Sequence, residues 1–506
     1  MTMTTRRPFS YAAPFALSLL VLAGCAVGPK YAAPNDAPVA IAAPERALFA
    51  PDAVQRDWWR QLDDPQLDAL VERALAGNHD IRIAHARLLE ARAMQTEAEL
   101  DRLPVVTLGA SKTRSIAQGN GVPADARTLA QSSRAGFDAG WEIDLFGRLQ
   151  RLDEAATARA QASAADLEQV RIVAVAELAR NYYEMRGAEQ RLAVTQRTLE
   201  SLRQSLRVTE AQVRTGRGLE GDLASAQANL ASTESQLPAL ETTRRQAAHR
   251  VAVLAGLRPA ELAPMLQPHP LRVLDKRLPI GDLGDLLRRR PDVLRAERGL
   301  AASTADVGAA TAELYPRVDI GGFLGFIALR GADLGSSSSR AFSVTPGVSW
   351  PALRLGSVKA RLRGAEARAE GERAVYEQTV LRAIEDVESA LTGYGQNQLR
   401  LQRLLEASAR SGRAAELAEV RYREGAAPYL SVLDAQRTLL RAQDAVAEAE
   451  TASFTSLVAL YKALGGGWQA PEGSAGPSPS SLAPLGGRAR LAGSWGPIPA
   501  KGGPTT

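Results

Sequence analysis

The chain holds one thiol, Cys25, and four imidazoles, His79, His85, His249 and His269. A single thiol cannot close a disulfide within the chain, and no histidine has a second one on the next helical turn, the arrangement a helical zinc site takes. Aspartates and glutamates are plentiful, but they are spread along helical stretches without a His or Ser partner in any motif. Neither a Walker A phosphate loop nor a dinucleotide glycine fingerprint is present. Catalysis, a metal and a resident cofactor are therefore not expected. Lys+Arg 61 against Asp+Glu 56 leaves a net charge of +5, and the charges are interspersed rather than gathered in one stripe. That argues against a nucleic-acid partner. The chemistry that remains is that of the thiol itself.

Cys25 ends a recognisable series: Arg6 and Arg7, an apolar run from Phe15 to Leu22, then Leu22-Ala23-Gly24-Cys25. The apolar run is too short to span a bilayer and small residues precede the cut, so residues 1–24 read as an export signal. The last four residues resemble the bacterial lipoprotein cleavage box. In that box the thiol takes a diacylglycerol, and the new N-terminus takes an acyl chain after the signal is removed. An ordinary secretory signal with an incidental cysteine is the alternative. Ala26 stands where Asp often directs retention in the inner membrane, which points Cys25 to the outer one. Each buried CH₂ contributes about 0.8 kcal/mol, so several chains hold a protein on a bilayer without a spanning helix. No later stretch offers about 20 continuous apolar residues. Any further crossing must be made by strands.

The elements that follow occur twice. Asp80, Ala84, Ala98, Pro104 and Val106 fall on Asp292, Ala296, Ala310, Pro316 and Val318, at an offset of 292 − 80 = 212. Gly147, Gly216, Gln227 and Leu230 fall on Gly356, Gly425, Gln436 and Leu439, at 356 − 147 = 209. Matching prolines and glycines make this a duplication rather than a coincidence of Ala-rich helices. Each copy predicts a helix, two strands of about 10 residues, a very long helix, a turn and a returning helix. In Phe137 to Leu145 and again in Phe342 to Trp350, apolar residues alternate with polar or small ones; Val318 to Phe326 forms a third such face and Val106 to Ala110 a weaker one. Period two fits a soluble sandwich as well as a transmembrane barrel. The export signal and lipid box favour the barrel. Four strands cannot close alone and open edges are not tolerated in lipid, so several chains must complete the ring.

From Phe146 to Gly216 there is no proline, and Leu192, Leu199, Leu206 and Val213 recur every seven residues with Leu202 between them. That is a coiled-coil seam on a helix of about 100 Å. Gly216 and Gly425 mark the hairpin tips, with returning helices expected from Leu223 to Leu254 and from Val432 to Leu464. Gly147 and Gly356 are expected to make sharp strand-to-helix changes. The chain divides into a signal (1–24), an extended lipidated surface segment (25–57), a first repeat (58–257), a linker (258–282), a second repeat (283–468) and a Gly/Pro/Ser-rich tail (469–506) expected to be disordered.

Leu286-Leu287-Arg288-Arg289-Arg290-Pro291-Asp292-Val293, with Ala296-Glu297, Val307-Gly308 and Pro316, resembles the signature of outer-membrane efflux proteins, in the lipoprotein branch of the TolC-like family. Trp141-Glu142-Ile143-Asp144-Leu145-Phe146-Gly147-Arg148 matches that family's strand-to-helix junction. Trp58-Trp59, Tyr429-Leu430, Val432-Leu433-Asp434-Ala435-Gln436 and Tyr461 to Trp468 fit as well. Pro291 suits a first helical position and Asp292 a helix start, so Arg290, Pro291, Asp292, Glu297, Trp141, Asp144 and Gly147 read as fold determinants. The resemblance implies an α+β membrane protein, a homotrimer with a 12-strand β-barrel, four strands per chain, continued by a periplasmic α-helical barrel. It implies a passive exit channel for small toxic compounds, docked through a periplasmic adaptor to an inner-membrane RND-type transporter. Relatives narrow at the hairpin tips, often with acidic rings, but Ala427 stands where Asp is common. Glu220, Asp222 and Glu424 are the nearby acids, and Arg214 and Arg421 the cations for closing bridges; solvated helix ends are the alternative. A conduit for secreted protein and a periplasmic adaptor or scaffold are the competing functions, the latter disfavoured by two duplicated hairpins and four amphipathic strands.

Overall fold

The computed structural model describes residues 26–33, 46–52, 54–117, 128–267, 269, 271, 276–281 and 290–467. The signal, Cys25, the motif residues 286–289, Trp468 and the tail lie outside them. The first repeat runs α1 (Pro65–Gly77), α2 (His79–Leu100), β1 (Val105–Ala117), β2 (Thr128–Ile143), α3 (Arg148–Arg214), α4 (Glu220–Glu234) and α5 (Leu237–Leu254). The second runs α6 (Pro291–Ala312), β3 (Arg317–Ala328), β4 (Arg340–Ser349), α7 (Leu355–Arg423) and α8 (Tyr429–Ala463). The four strands form one antiparallel sheet in chain order, with β1 and β4 at its edges. No helix among the described residues is long and apolar enough to cross a membrane.

Two junctions, one per repeat, stack short helices end on end. Asn78 Oδ1 accepts from the Asp80 and Ile81 amides at 2.8 and 3.1 Å, capping α2, while its Nδ2 donates to the Leu254 carbonyl at the end of α5 at 2.8 Å. The residue at offset 212 is Arg290. It donates to the carbonyl of Ala463, the last residue of α8, at 3.0 Å, and grips Asp292 at 2.6 and 3.0 Å beneath α6. Orphan carbonyls at one helix end are thus satisfied by the residue that starts the next. Each chain therefore presents four helical columns: α3, α5 with α2, α7, and α8 with α6. Of these, α3 packs against α2, α5, α6 and α8, and α7 against α6 and α8.

The α3 seam is the predicted one with two additions. Thr195 is buried between Leu192 and Leu199, and Thr209 between Leu206 and Val213, completing with Leu202 alternate steps of three and four residues. The main core lies where α1, α3, α5, α7 and α8 meet. There Trp58 stacks on Tyr461 at 5.0 Å and Tyr183 on Phe454 at 4.5 Å.

Several expectations need correction. The strands of the first repeat span 13 and 16 residues rather than about 10, because the hairpin continues beyond its apolar ladder. The returning helices begin earlier, at Glu220 and Tyr429, directly after the turns. The first of them breaks at Ser235 and Gln236, where Pro238 removes an amide and its ring collides with the preceding turn; Ala447 at the equivalent place, 238 + 209 = 447, lets α8 run on. Gly147 has φ +77, but Gly356 lies inside α7 without a positive φ, because a 3₁₀ turn at Ala352–Arg354 after Pro351 makes that bend. The N-terminal segment is not wholly superficial. Phe49 is 4% exposed, and Phe49–Ala50 pairs in parallel with Leu278–Pro279 of the linker.

Candidate functional site

Register turns strand alternation into two distinct surfaces. Leu108, Phe137, Leu324 and Phe342 form one continuous row across the sheet, and Val106, Ala139, Gly322 and Val344 the next. This face is uncovered: Leu108, Leu324, Phe342 and Val344 are 65 to 81% exposed. At its lower edge Trp141 Nε1 donates to the Arg102 carbonyl and Trp350 Nε1 to the Leu314 carbonyl, both at 3.0 Å. These pairs are related by the repeat, at 350 − 141 = 209 and 314 − 102 = 212. Such an apolar band edged with aromatic side chains is the outer surface of a membrane barrel.

The reverse face carries Asp138, Glu142, Arg134, Asp319 and mostly small residues, with Val105, Phe323 and Ile327 as its large apolar side chains. Phe323 is buried against Gly136 and Gly325, where an added Cβ would lie 2.8 and 2.9 Å from its ring. The Arg134 guanidinium covers that ring at 3.9 Å and is paired to Asp138. Glycine is required here because backbone and ring approach so closely.

Below the sheet, the junction motif forms a short network. Glu142 binds Arg148 through both oxygens at 2.9 and 2.6 Å, and Asp144 Oδ2 accepts from the Gln150 amide at 2.7 Å, at the start of α3. Phe146 stacks on Tyr315 at 4.7 Å. Ala26 sits against Gly147, where any side chain would approach to 2.6 Å, and the Val27 amide donates to the Phe146 carbonyl at 3.1 Å. From there the segment descends between α3 and α6. Gly28 lies 2.7 Å from Gly308 by the same measure, and Tyr31 donates to Glu297, which Arg298 also holds. Glu297 and Gly308 thus bind the N-terminal segment, a role no spacing signalled because Tyr31 and Glu297 stand 266 residues apart.

At the far end, both tips use the same backbone device. The Arg217 amide donates to the Gln212 carbonyl at 2.9 Å and the Ala426 amide to the Arg421 carbonyl at 2.8 Å, around Gly216 and Gly425, each at φ +70. This is a Schellman closure with glycine in the left-handed position. Arg214, Glu220, Arg421 and Glu424 are exposed and Asp222 half-buried. None of the five forms an ion pair within the chain among the described residues. What joins the tips is a cluster that sequence reasoning did not single out. Tyr422 donates to Gln212, Gln436 Nε2 to Ser205 Oγ at 3.0 Å, and Arg437 Nε to Asn229 Oδ1 at 2.9 Å. Burial pushes the Tyr422 and Tyr429 hydroxyls up in pKa.

Residues 70–257 and 283–466 each match the family model for outer membrane efflux proteins. This chain belongs to that family. The efflux protein is 33% identical over 418 residues to the pyoverdine export outer membrane protein OpmQ of Pseudomonas putida, covering 82% of this chain and 88% of that one. It is 30% identical to the antibiotic efflux pump outer membrane protein ArpC of the same species, over 93% and 98% of the two chains. Among solved structures it is similar to the outer-membrane channel OprN, with TM-score 0.86 and 46% identity over 88% of this chain and all (100%) of that one.

Within the efflux protein, the signature around Arg290 is a joint between columns. Arg290 is 6% exposed and also reaches Ala383 O at 3.3 Å and Asp386 at 3.0 Å on α7. Burial opposes its charge, but the bonds to Asp292 and Asp386 outweigh it and raise its pKa. Pro291 occupies the first turn of α6, and Asp292 Oδ1 accepts from the Val293 amide at 2.9 Å.

Proposed function

We propose that this outer membrane efflux protein assembles as a homotrimer whose three sheets close one barrel of twelve strands, and that it serves as the exit channel of a tripartite pump. One observation carries the reading: a four-stranded sheet with two unpaired edges and an uncovered apolar face, continued by four helical columns. Unpaired strand edges are too costly to leave open in lipid, so β4 of one chain must pair with β1 of the next. Three chains then supply twelve columns below the membrane. The chain has no phosphate loop, so energy comes from an inner-membrane RND-type transporter reached through a periplasmic adaptor. Relatives named for pyoverdine export and antibiotic efflux support small-molecule cargo over secreted protein.

Cys25 carries a diacylglycerol and an N-acyl chain in this reading. The support is positional: its neighbour Ala26 lies against Gly147, at the level where strands become helices. Acyl chains there enter the leaflet that surrounds the base of the barrel. At the tips, Arg214 and Arg421 meet Glu220, Asp222 and Glu424 of adjoining chains in the closed state. The test is reconstitution of the purified, processed chain in a planar bilayer. A detergent-resistant trimer that conducts ions, with acyl mass on Cys25, is expected. A non-conducting monomer removes the channel, and an unmodified thiol removes the anchor.

A further inference from the structure

The lipid-facing side of the sheet is not uniformly apolar. By register, Lys112 and Arg114 on β1 share the face of Leu108 and Phe137, and Arg340 on β4, opposite Phe326, shares it too. All three are exposed. No Asp or Glu occupies a position on this face of the four strands, whose carboxylates Asp138, Glu142 and Asp319 all lie on the reverse. Among the described residues, no carboxylate pairs with Lys112, Arg114 or Arg340. Three cations thus stand on a membrane surface with nothing in the described chain to neutralise them.

Their height is specific. Arg114 pairs with Gln131, ten residues from Trp141 (141 − 131 = 10), and Arg340 precedes Trp350 by ten (350 − 340 = 10). Ten residues at about 3.3 Å rise, tilted about 40°, span about 25 Å, the height of an outer-membrane apolar band. The tryptophans mark one boundary, on the side of the helices and of Ala26. The two arginines mark the other, which faces the exterior. Between the boundaries, Leu108, Phe137, Leu324, Phe326 and Phe342 line a shallow apolar groove of about 750 Å³, and Arg340 stands at its end. An apolar groove closed by a guanidinium has the chemistry of an acyl chain with an anionic headgroup. Closing the ring brings β4 beside β1 of the next chain, so Arg340 joins Lys112 and Arg114 at each seam.

We propose that each seam binds a phosphorylated glycolipid of the outer leaflet, its acyl chain in the groove and its phosphates on Lys112, Arg114 and Arg340. This rests on the barrel reading given above. The experiment is native mass spectrometry of the full-length trimer in neutral detergent, titrated with bisphosphorylated lipid A and, separately, with its dephosphorylated form. Up to three adducts of the phosphorylated form per trimer are expected, with far fewer of the other. A surface cation is worth about fivefold in binding an anionic lipid, so a Lys112→Gln, Arg114→Gln, Arg340→Gln triple variant should bind more than about tenfold more weakly. Arg134→Gln, on the reverse face, should leave lipid binding unchanged. Equal retention of both lipids by a conducting wild-type trimer overturns the proposal and leaves the channel standing, and needs no variant to fold. Undiminished binding by the triple variant overturns it as well. A wild-type chain that stays monomeric would remove both readings.

Discussion

Asn78 and Arg290 occupy equivalent places and do the same work with different chemistry. Each closes the carbonyl end of one helix and opens the amide end of the next, but Arg290 adds α7 by reaching Ala383 and Asp386. Between α3 and α8 the matching is less complete. Gln190 donates to Glu450, yet Gln190 Oε1 is buried without a partner among the described residues. Burial raises the Glu450 pKa, so the folded state holds its proton more tightly than the unfolded chain. That contribution opposes folding above the folded pKa and vanishes below the ordinary carboxylate range, where both states are protonated. Glu450→Gln should therefore stabilise at pH 7, by about 1 kcal/mol if its amide also bonds Gln190. Thermal unfolding of both proteins from pH 7 to pH 4 checks this: the gap should narrow as pH falls.

Among the elements, the turns test most cleanly. Among the described residues, Gly216 and Gly425 have no atom within 4 Å of where a Cβ would stand, so alanine there is opposed by the left-handed backbone. Gly425→Ala should cost about 1 kcal/mol, and amide exchange at the tip should quicken about fivefold. Gly147→Ala meets the same backbone penalty and a collision with Ala26 as well. It should loosen the N-terminal segment in addition. Limited proteolysis near Tyr31 reads that difference, and equal protection in both variants would argue against the collision. These glycines were legible in the sequence because they repeat at a constant offset. Gly356 repeats too and was misread, because the bend it was expected to make is made by Pro351 and the turn that follows.

At the scale of the whole molecule, the proposed channel opens by a movement of the hairpins of one chain together with those of its neighbours. Within one chain, Tyr422, Gln436 and Arg437 tie the second hairpin to the first. The arginines of the tips have no such partner inside the chain among the described residues. In the proposed closed state they bridge between chains. Replacing Arg214 and Arg421 together by Ala should raise single-channel conductance in planar bilayers. Conductance equal to that of the parent protein would remove them as gate elements.

The amino-acid sequence by itself determined the duplication, the faces of the strands, the α3 seam and the tips. All of these follow from local rules: a period of two or of 3.5, a proline without an amide, a glycine free to adopt positive φ. Tertiary structure alone decided that Asn78 meets Leu254 across 176 residues, that Arg290 meets Ala463 across 173, and that Glu297 receives Tyr31. It also decided that Lys112, Arg114 and Arg340 share a face, since β1 and β4 lie in different repeats. Such pairings depend on which columns stand side by side, and no spacing along the chain encodes a neighbour across it.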